Sequence, residues 1–208
     1  QSLGAGNTTA VATADLDGDG DLDLFFGNRG QANEAWLNDG AGNFTNSGQT
    51  LGSEQTYSVV LTDLDGDGGK DAFVGNDGAN TVWLNDGTGL FSDSGQALGS
   101  RVTIALHVFD AEADGDSDLW ATSGNGGSLG DEVWLNDGNG VFTNSGWALG
   151  ATIASESVIG YFDTDFDVDV LVVSAFGDHQ LWLNQHSGPL FSDGFESSDT
   201  TFWDLTFP

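Results

Sequence analysis

A tandem repeat runs through the whole chain and constrains its fold more than any other feature. The tripeptide Trp-Leu-Asn recurs at spacings of 47, 51 and 48 residues, starting at Trp36, Trp83, Trp134 and Trp182. A Leu-Gly pair recurs in the same phase, at Leu3, Leu51, Leu98 and Leu149. A fixed period of this length is typical of proteins that stack copies of one supersecondary unit. We therefore predict four such units.

Each unit predicts four short β-strands. In the third repeat, Val102, Ile104, Leu106 and Val108 alternate with other residues, which is the period of a strand. A second strand follows an acidic loop, the third carries the Trp-Leu-Asn tripeptide, and an Asn-Asp-Gly turn then predicts a hairpin. The fourth strand is predicted around Phe44, Phe91, Phe142 and Phe191.

Four antiparallel strands per unit of about 48 residues match the blade of a β-propeller. We predict an all-β propeller whose blades cover residues 3–50, 51–97, 98–148 and 149–193, followed by a tail at 194–208. Three arrangements stay open: a closed four-bladed ring, which we favour, a larger ring completed by further sequence, or a ring or stack formed with other copies.

The net charge of −30 excludes two classes of partner. Three basic residues leave no cationic surface for nucleic acid or an anionic membrane. The chain has no cysteine for disulfide bonds and no run of 18 apolar residues that would span a membrane. An unpaired charge of this size would strain a compact domain, unless bound cations neutralise it.

The carboxylates are concentrated in four loops, which hold 18 of the 33 acidic residues. The first three loops run over residues 15–23, 63–71 and 110–118, with carboxylates at loop positions 1, 3, 5 and 9. Glycines between alternating oxygen ligands let a backbone curl around one ion, and calcium takes six to eight oxygen ligands. The absence of Cys and His from the loops argues against zinc. Position 12 lacks the Glu of an EF-hand, and the flanks read as strands.

This pattern resembles the FG-GAP or VCBS-type repeats and is similar to the calcium-binding blades of integrin α-subunit propellers. The resemblance covers residues 1 to 193 and implies calcium ligands at loop positions 1, 3, 5 and 9, with a main-chain carbonyl at position 7. For the first loop it implies Asp15, Asp17, Asp19, Asp23 and the carbonyl of Asp21. For the second it implies Asp63, Asp65, Asp67, Asp71 and the carbonyl of Gly69. For the third it implies Asp110, Glu112, Asp114, Asp118 and the carbonyl of Asp116.

The fourth loop is degenerate. Tyr161 stands at its first position and both glycines are lost. The ligands left for a weaker site are Asp163, Asp165, Asp167 and Asp169. We therefore expect three calcium sites and a degenerate fourth.

The remaining features predict no catalytic site. His107, His179 and His186 have no spacing that links them to a nucleophile or a metal. The repeated Trp residues are predicted to be core, whereas Trp147 interrupts the repeat and is predicted to make a surface contact. We predict a secreted or cell-surface, bacterial, calcium-binding module that is structural, adhesive or interacts with proteins. The alternatives are a lectin-like propeller that binds glycans and a self-assembling subunit.

Overall fold

In the computed structural model, which describes residues 1–4, 6–111, 114–124, 130–147, 154–164, 168–174, 178–184 and 203–205, every regular element is a β-strand. The first repeat contains β1 (Thr8–Ala14), β2 (Asp23–Asn28), β3 (Glu34–Asn38) and β4 (Phe44–Asn46). The second contains β5 (Thr56–Thr62), β6 (Asp71–Asn76), β7 (Thr81–Asn85) and β8 (Phe91–Asp93). The third contains β9 (Thr103–Phe109), β10 (Asp118–Ser123), β11 (Glu132–Asn136) and β12 (Phe142–Asn144). The fourth contains β13 (Ala154–Gly160), β14 (Asp169–Ser174) and β15 (Gln180–Asn184), and β16 (Trp203–Leu205) follows in the segment 194–208.

In each of the first three repeats the four strands form one antiparallel sheet in chain order, as the blade pattern predicts, and β13 to β16 form the fourth sheet. Register is the same in the first three sheets: Trp36, for example, pairs with Leu24 on one side and Asn46 on the other. The hairpin between β3 and β4 turns at Gly40 and Gly42, whose φ angles of 74° and 81° lie in the left-handed region that glycine tolerates. The fold is therefore all-β and propeller-like.

The fourth sheet differs from the prediction at its outer edge. The strand that pairs with β15 is β16, with Trp182 opposite Leu205. This strand comes from the segment that we assign to a tail, whereas Phe191, the predicted centre of the strand, lies outside the described residues. The tail thus reaches the sheet edge because an extended segment supplies the backbone partners that β15 requires.

Successive sheets pack face to face through three apolar clusters. We call the face of a sheet directed at the next sheet its leading face, and the opposite one its trailing face. Phe25 and Ala35 on the leading face of the first sheet meet Val74 and Trp83 on the trailing face of the second. The second and third sheets repeat this contact, and Phe73 meets Phe142 edge to face with ring centroids 5.3 Å apart. Alternating side chains thus place one core on each face of an inner sheet.

The tryptophans lie mostly in these clusters. Trp83, Trp120 and Trp134 are buried, which confirms their prediction as core. The prediction for Trp147 is wrong, since its side chain is 9% exposed and lies in the cluster between the third and fourth sheets. The larger ring fills space between the sheets in place of the glutamines at this repeat position, Gln49 and Gln96.

The sheets form an open series in the described ranges. Strand β1 packs against β5, β5 against β9 and β9 against β13, whereas the first and fourth sheets share no comparable packing among those residues. The described strands therefore do not close the four-sheet ring that we favour from the sequence.

Candidate metal centre

Each acidic loop joins the first and second strands of its sheet, as predicted. The first loop leaves β1 after Ala14 and enters β2 at Asp23, and the second leaves β5 after Thr62 and enters β6 at Asp71. All four loops therefore lie at the same end of their sheets.

Two of the loops gather carboxylates into groups that could hold a cation. In the first loop, carboxylate oxygens of Asp15, Asp17 and Asp19 all lie within 4.8 Å of one another. In the second loop the same is true of Asp63, Asp65 and Asp71. Oxygen atoms at this separation can share one cation of the size of calcium, whose oxygen ligands lie at about 2.3–2.6 Å.

The first aspartate of each loop shapes its backbone. Asp15 accepts hydrogen bonds from the backbone N–H of Gly18 at 2.8 Å and of Gly20 at 3.0 Å. Asp63 accepts the equivalent bonds from Gly66 and Gly68. In the third loop Asp110 accepts from Asp114 and Gly115. Such bonds hold the curled loop in shape through its own side chains.

The last aspartate of each loop also has a structural role. Asp23 is fully buried, and its two oxygens accept from Leu16 N–H and Asn38 N–H, both at 2.7 Å. Asp71 and Asp118 make the equivalent pairs of bonds. In the degenerate loop, Asp169 also accepts a bond of this kind, from Phe162 N–H at 2.6 Å. These carboxylates therefore fasten the loop to its sheet, which explains an aspartate there even in the degenerate loop.

The electrostatics of the first two loops favour a cation. Burial raises the pKa of Asp17, and the charges of Asp23, Asp19 and Asp15 raise it further. Burial likewise raises the pKa of Asp65, and raises that of Asp71 to about 6. Asp17 Oδ1 is buried and has no hydrogen-bond partner among the described residues. A hard cation would satisfy this oxygen and offset the negative charges that add to the effect of burial on these pKa values.

Not every predicted ligand joins a carboxylate group. Asp23 and Asp67 lie outside the two groups, and the side chain of Asp21 is directed at the hairpin turn, where a Cβ on Gly40 would lie 2.3 Å from Asp21 Oδ2. At Asp21 and Gly69 the predicted ligand is the main-chain carbonyl and not a side chain. The direction of the Asp21 side chain therefore does not conflict with that prediction. In the third loop Glu112 lies outside the described residues, as do Asp165 and Asp167 in the fourth. The ligand sets of those two loops stay predictions.

The first two acidic loops also contact the next sheet. The carbonyl oxygen of Leu16 accepts a buried hydrogen bond from Asn85 Nδ2 at 2.9 Å, and that of Leu64 accepts one from Asn136 Nδ2 at 2.8 Å. A Cβ on Gly89, in the turn of the second sheet, would lie 3.3 Å from Asp17 Cβ. The acidic loop is therefore part of the junction between two sheets. Our sequence reasoning missed this role of the Asn in Trp-Leu-Asn, although its recurrence in phase with the acidic loops is a signal for it.

The histidines contact other repeats or strands without forming a repeated site. His107 Nε2 lies 2.8 Å from Ser157 Oγ, and burial lowers the pKa of His107. Ser157 is 1% exposed, so its hydroxyl is sequestered between the third and fourth sheets. His179 Nδ1 accepts from Ser174 N–H at 3.2 Å, and His186 lies outside the described residues.

Comparison with known families decides the relationship of this chain. The sequence model of the FG-GAP-like repeat matches residues 15–74 and 63–121, each match running from one acidic loop to the second strand of the next sheet. The chain belongs to the FG-GAP-like repeat family. The two FG-GAP-like repeat matches contain both carboxylate groups, so the groups lie in the part of the chain where membership is shown. A search of the curated proteins finds no match for the sequence.

Solved structures share the fold of these FG-GAP-like repeats. A lectin from Agrocybe aegerita, described as recognising non-reducing terminal N-acetylglucosamine, matches with a TM-score of 0.51 and 19% identity over 85% of this chain and 48% of that one. The biofilm matrix protein Bap1 of V. cholerae matches with a TM-score of 0.52 and 19% identity over 86% of this chain and 27% of its own. The computationally designed Ika4 protein matches with a TM-score of 0.50 and 16% identity over 86% of this chain and 92% of its own. The chain thus spans about half the length of the lectin.

The described part of the chain contains no helix with the length and apolar character needed to cross a membrane.

Proposed function

We propose that this chain is an extracellular, calcium-binding repeat module with a structural, adhesive or protein-interaction role and no catalytic activity. The observation that carries the proposal is the pair of carboxylate groups in loops one and two, which share the first and third loop positions in successive FG-GAP-like repeats. The repetition matters, because a single cluster of exposed acids is common without any ion.

The donor set favours calcium over other metals. Both groups offer carboxylate oxygens only, which suit hard cations and not the softer metals that prefer His and Cys. Magnesium demands near-octahedral geometry and retains several waters, whereas calcium tolerates the irregular shape of a curled loop. Millimolar calcium outside cells matches the affinity of such extracellular modules, so we place the chain in a secreted or cell-surface protein.

Calcium in these loops would stabilise the junction between sheets. The first loop contributes Leu16 to the cluster between the first and second sheets and accepts a hydrogen bond from Asn85. An ion that rigidifies the loop therefore also holds its neighbour. A ligand that binds only the native state adds about 2.7 kcal/mol of stability at 100 times its dissociation constant.

The structural neighbours support an interaction role of one of two kinds. Bap1 is a biofilm matrix protein and the Agrocybe aegerita protein is a lectin, and both share this fold. At 19% identity these neighbours do not identify a ligand for this chain, because one fold hosts many functions. A lectin-like role is accordingly our second candidate, and a glycan array probed with and without calcium separates the two: calcium-dependent binding of a defined glycan favours the lectin, and its absence favours the structural module.

Calorimetric titration with calcium tests the proposal. We expect the wild-type chain to bind calcium and its melting temperature to fall when chelator is added in excess. Asp17→Asn should abolish the site in the first loop and Asp65→Asn the site in the second, each removing one equivalent of bound calcium. Asp39→Asn is the matched control, because Asp39 lies in an exposed hairpin turn outside both groups. A wild-type chain that takes up no calcium, or whose melting temperature ignores the chelator, would contradict the proposal.

A further inference from the structure

The trailing face of the first sheet repeats a buried interface but has no sheet against it in the part of the chain that the structure describes. Its side chains occupy the repeat positions that form the trailing faces of the second and third sheets. The residues are Leu3, Val11, Leu24, Phe26, Trp36 and Phe44. Val11 is 59% exposed, whereas its equivalents Val59 and Leu106 are 9% and 6% exposed. The face is therefore built like an interface and lacks its neighbour among the described residues.

This face is already assembled in the form that its equivalents take when covered. Phe26 and Trp36 meet edge to face with ring centroids 6.4 Å apart. Gln1 accepts a hydrogen bond from Phe44 N–H at 2.9 Å, as Gln49 does from Phe91 N–H at 2.8 Å in the second sheet. A glutamine that bonds to the outer strand is thus present in both sheets.

The leading face of the fourth sheet is the complementary surface. Leu171 pairs with Val158 on one side and Leu181 on the other, so the three side chains share one face. That face lies opposite Val170 and Val172, which pack against the third sheet. At the positions of Leu171, Phe25 and Phe73 are fully buried by the next sheet, whereas Leu171 is half-buried. Phe162, the equivalent of Leu16, is 46% exposed, compared with 0% for Leu16.

The hydrogen bonds of the Asn in Trp-Leu-Asn also distinguish the first sheet from the sheets that have a neighbour. At each covered junction between the first three sheets, the Asn of Trp-Leu-Asn donates from Nδ2 to the second residue of the preceding loop, as Asn85 does to Leu16. Asn38 in the first sheet is partly exposed, and its Nδ2 donates within its own sheet, to the carbonyl of Leu22 at 3.1 Å. Asn85 makes that bond as well, to Lys70, in addition to the one across the junction. The first sheet therefore has the donor and the fourth sheet, at Phe162, the corresponding carbonyl.

We infer that the trailing face of the first sheet binds the leading face of the fourth sheet in a second copy of this chain, and that two copies close a ring of eight sheets. The occupant follows from continuity with the internal interface, which is heterologous and joins a leading to a trailing face at all three junctions. Two copies carry eight sheets, which lies within the range of about four to eight in which propeller rings close. Because each copy carries a charge of −30, association should require calcium or moderate salt.

Sedimentation equilibrium and light scattering of the 208-residue chain test this inference, in calcium at about 0.15 M salt. We expect a mass twice the 21.6 kDa of one chain. Val11→Glu on the first sheet and Val158→Glu on the fourth should each weaken the dimer about 100-fold or more, because each buries an unpaired charge. Leu90→Glu is the matched control, since Leu90 is 63% exposed in a turn of the second sheet, and it should leave the dimer intact.

Mixing the two interface variants gives the decisive result. The Val11→Glu chain keeps an intact fourth sheet and the Val158→Glu chain keeps an intact first sheet. An equimolar mixture should therefore form a dimer through one interface, which two misfolded chains would not do. Three results would overturn the inference. The wild-type chain could stay monomeric at about 100 μM, it could form an open polymer, or the mixture could stay monomeric.

Discussion

Replacing Asp131 by Asn should stabilise the protein above pH 7 and change little at pH 4. Asp131 is 3% exposed, and its Oδ1 accepts a hydrogen bond from Ser123 N–H at 2.8 Å. Asn33 and Asn80 occupy the same position in the first and second sheets and accept the equivalent bond from Asn28 and Asn76 N–H. Two of the equivalent positions therefore already hold an asparagine that makes this hydrogen bond. The substitution should keep the bond while removing a buried charge.

The expected magnitude follows from the pKa. Burial raises the pKa of Asp131 from 3.8 to about 7, although the hydrogen bonds from Ser123 and Trp120 and the charge of Arg101 oppose the rise. Because the folded state holds the proton more tightly than the unfolded chain, the free energy of unfolding falls as pH rises from about 4 to about 7. At 1.36 kcal/mol per pH unit, the interval from 3.8 to about 7 corresponds to roughly 4 kcal/mol at most.

Urea unfolding of both proteins between pH 4 and pH 8, in saturating calcium, measures this difference. The difference in unfolding free energy between Asp131→Asn and wild type should grow by up to roughly 4 kcal/mol over that range. The reciprocal control, Asn80→Asp, introduces a carboxylate at a position that is 1% exposed and should create the opposite trend. A difference that stays constant with pH, or an asparagine variant that is less stable than wild type at pH 8, would refute the reasoning.

Three further substitutions test the junctions between sheets, each by chemical denaturation. Asn85→Ala removes a buried bond to Leu16 and a partly buried one to Lys70 and should cost about 1–3 kcal/mol, more than Asn38→Ala, whose side-chain nitrogen donates to Leu22 within its own sheet; equal losses would contradict the junction role. Trp120→Ala should cost about 3–5 kcal/mol, since the ring is 1% exposed in the cluster between the third and fourth sheets; a loss below 1 kcal/mol would mean that the cluster is not packed as described. Gly75→Val should cost about 1–3 kcal/mol or more, because a Cβ there would lie 2.8 Å from Thr103 Cγ2; an unchanged midpoint would show that the sheets can separate without penalty.

Much of the fold follows from local signals in the sequence. The alternation in β9, the Asp-Gly turns and the acidic loops each act within a few residues, so the repeat alone predicts β1 to β15, fifteen of the sixteen described strands. The carboxylate groups of Asp15, Asp17 and Asp19 and of Asp63 and Asp65 are predictable for the same reason, because their spacing places them on one curled loop.

Contacts between repeats were less predictable. Trp147 looks like an exception to the repeat and yet is core, since the volume it fills lies among side chains tens of positions apart in sequence, such as Phe109 and Val172. The tail strand β16 lacks the repeat pattern, and its place is set by the partner that β15 requires. The Asn of Trp-Leu-Asn reads as part of a strand, but its side chain bonds to the preceding sheet.

The sequence by itself determined the repeat, the strand order within each sheet and the acidic loops, because short-range backbone preferences and side-chain periodicity specify them. The tertiary structure decided which loop aspartates converge, that Asp131 is buried with a raised pKa, and that the first and fourth sheets each keep a face without a neighbour in the described residues. These properties depend on burial and on distances between residues tens of positions apart. The sequence predicts that a face is apolar, but only the tertiary structure shows whether another sheet covers it.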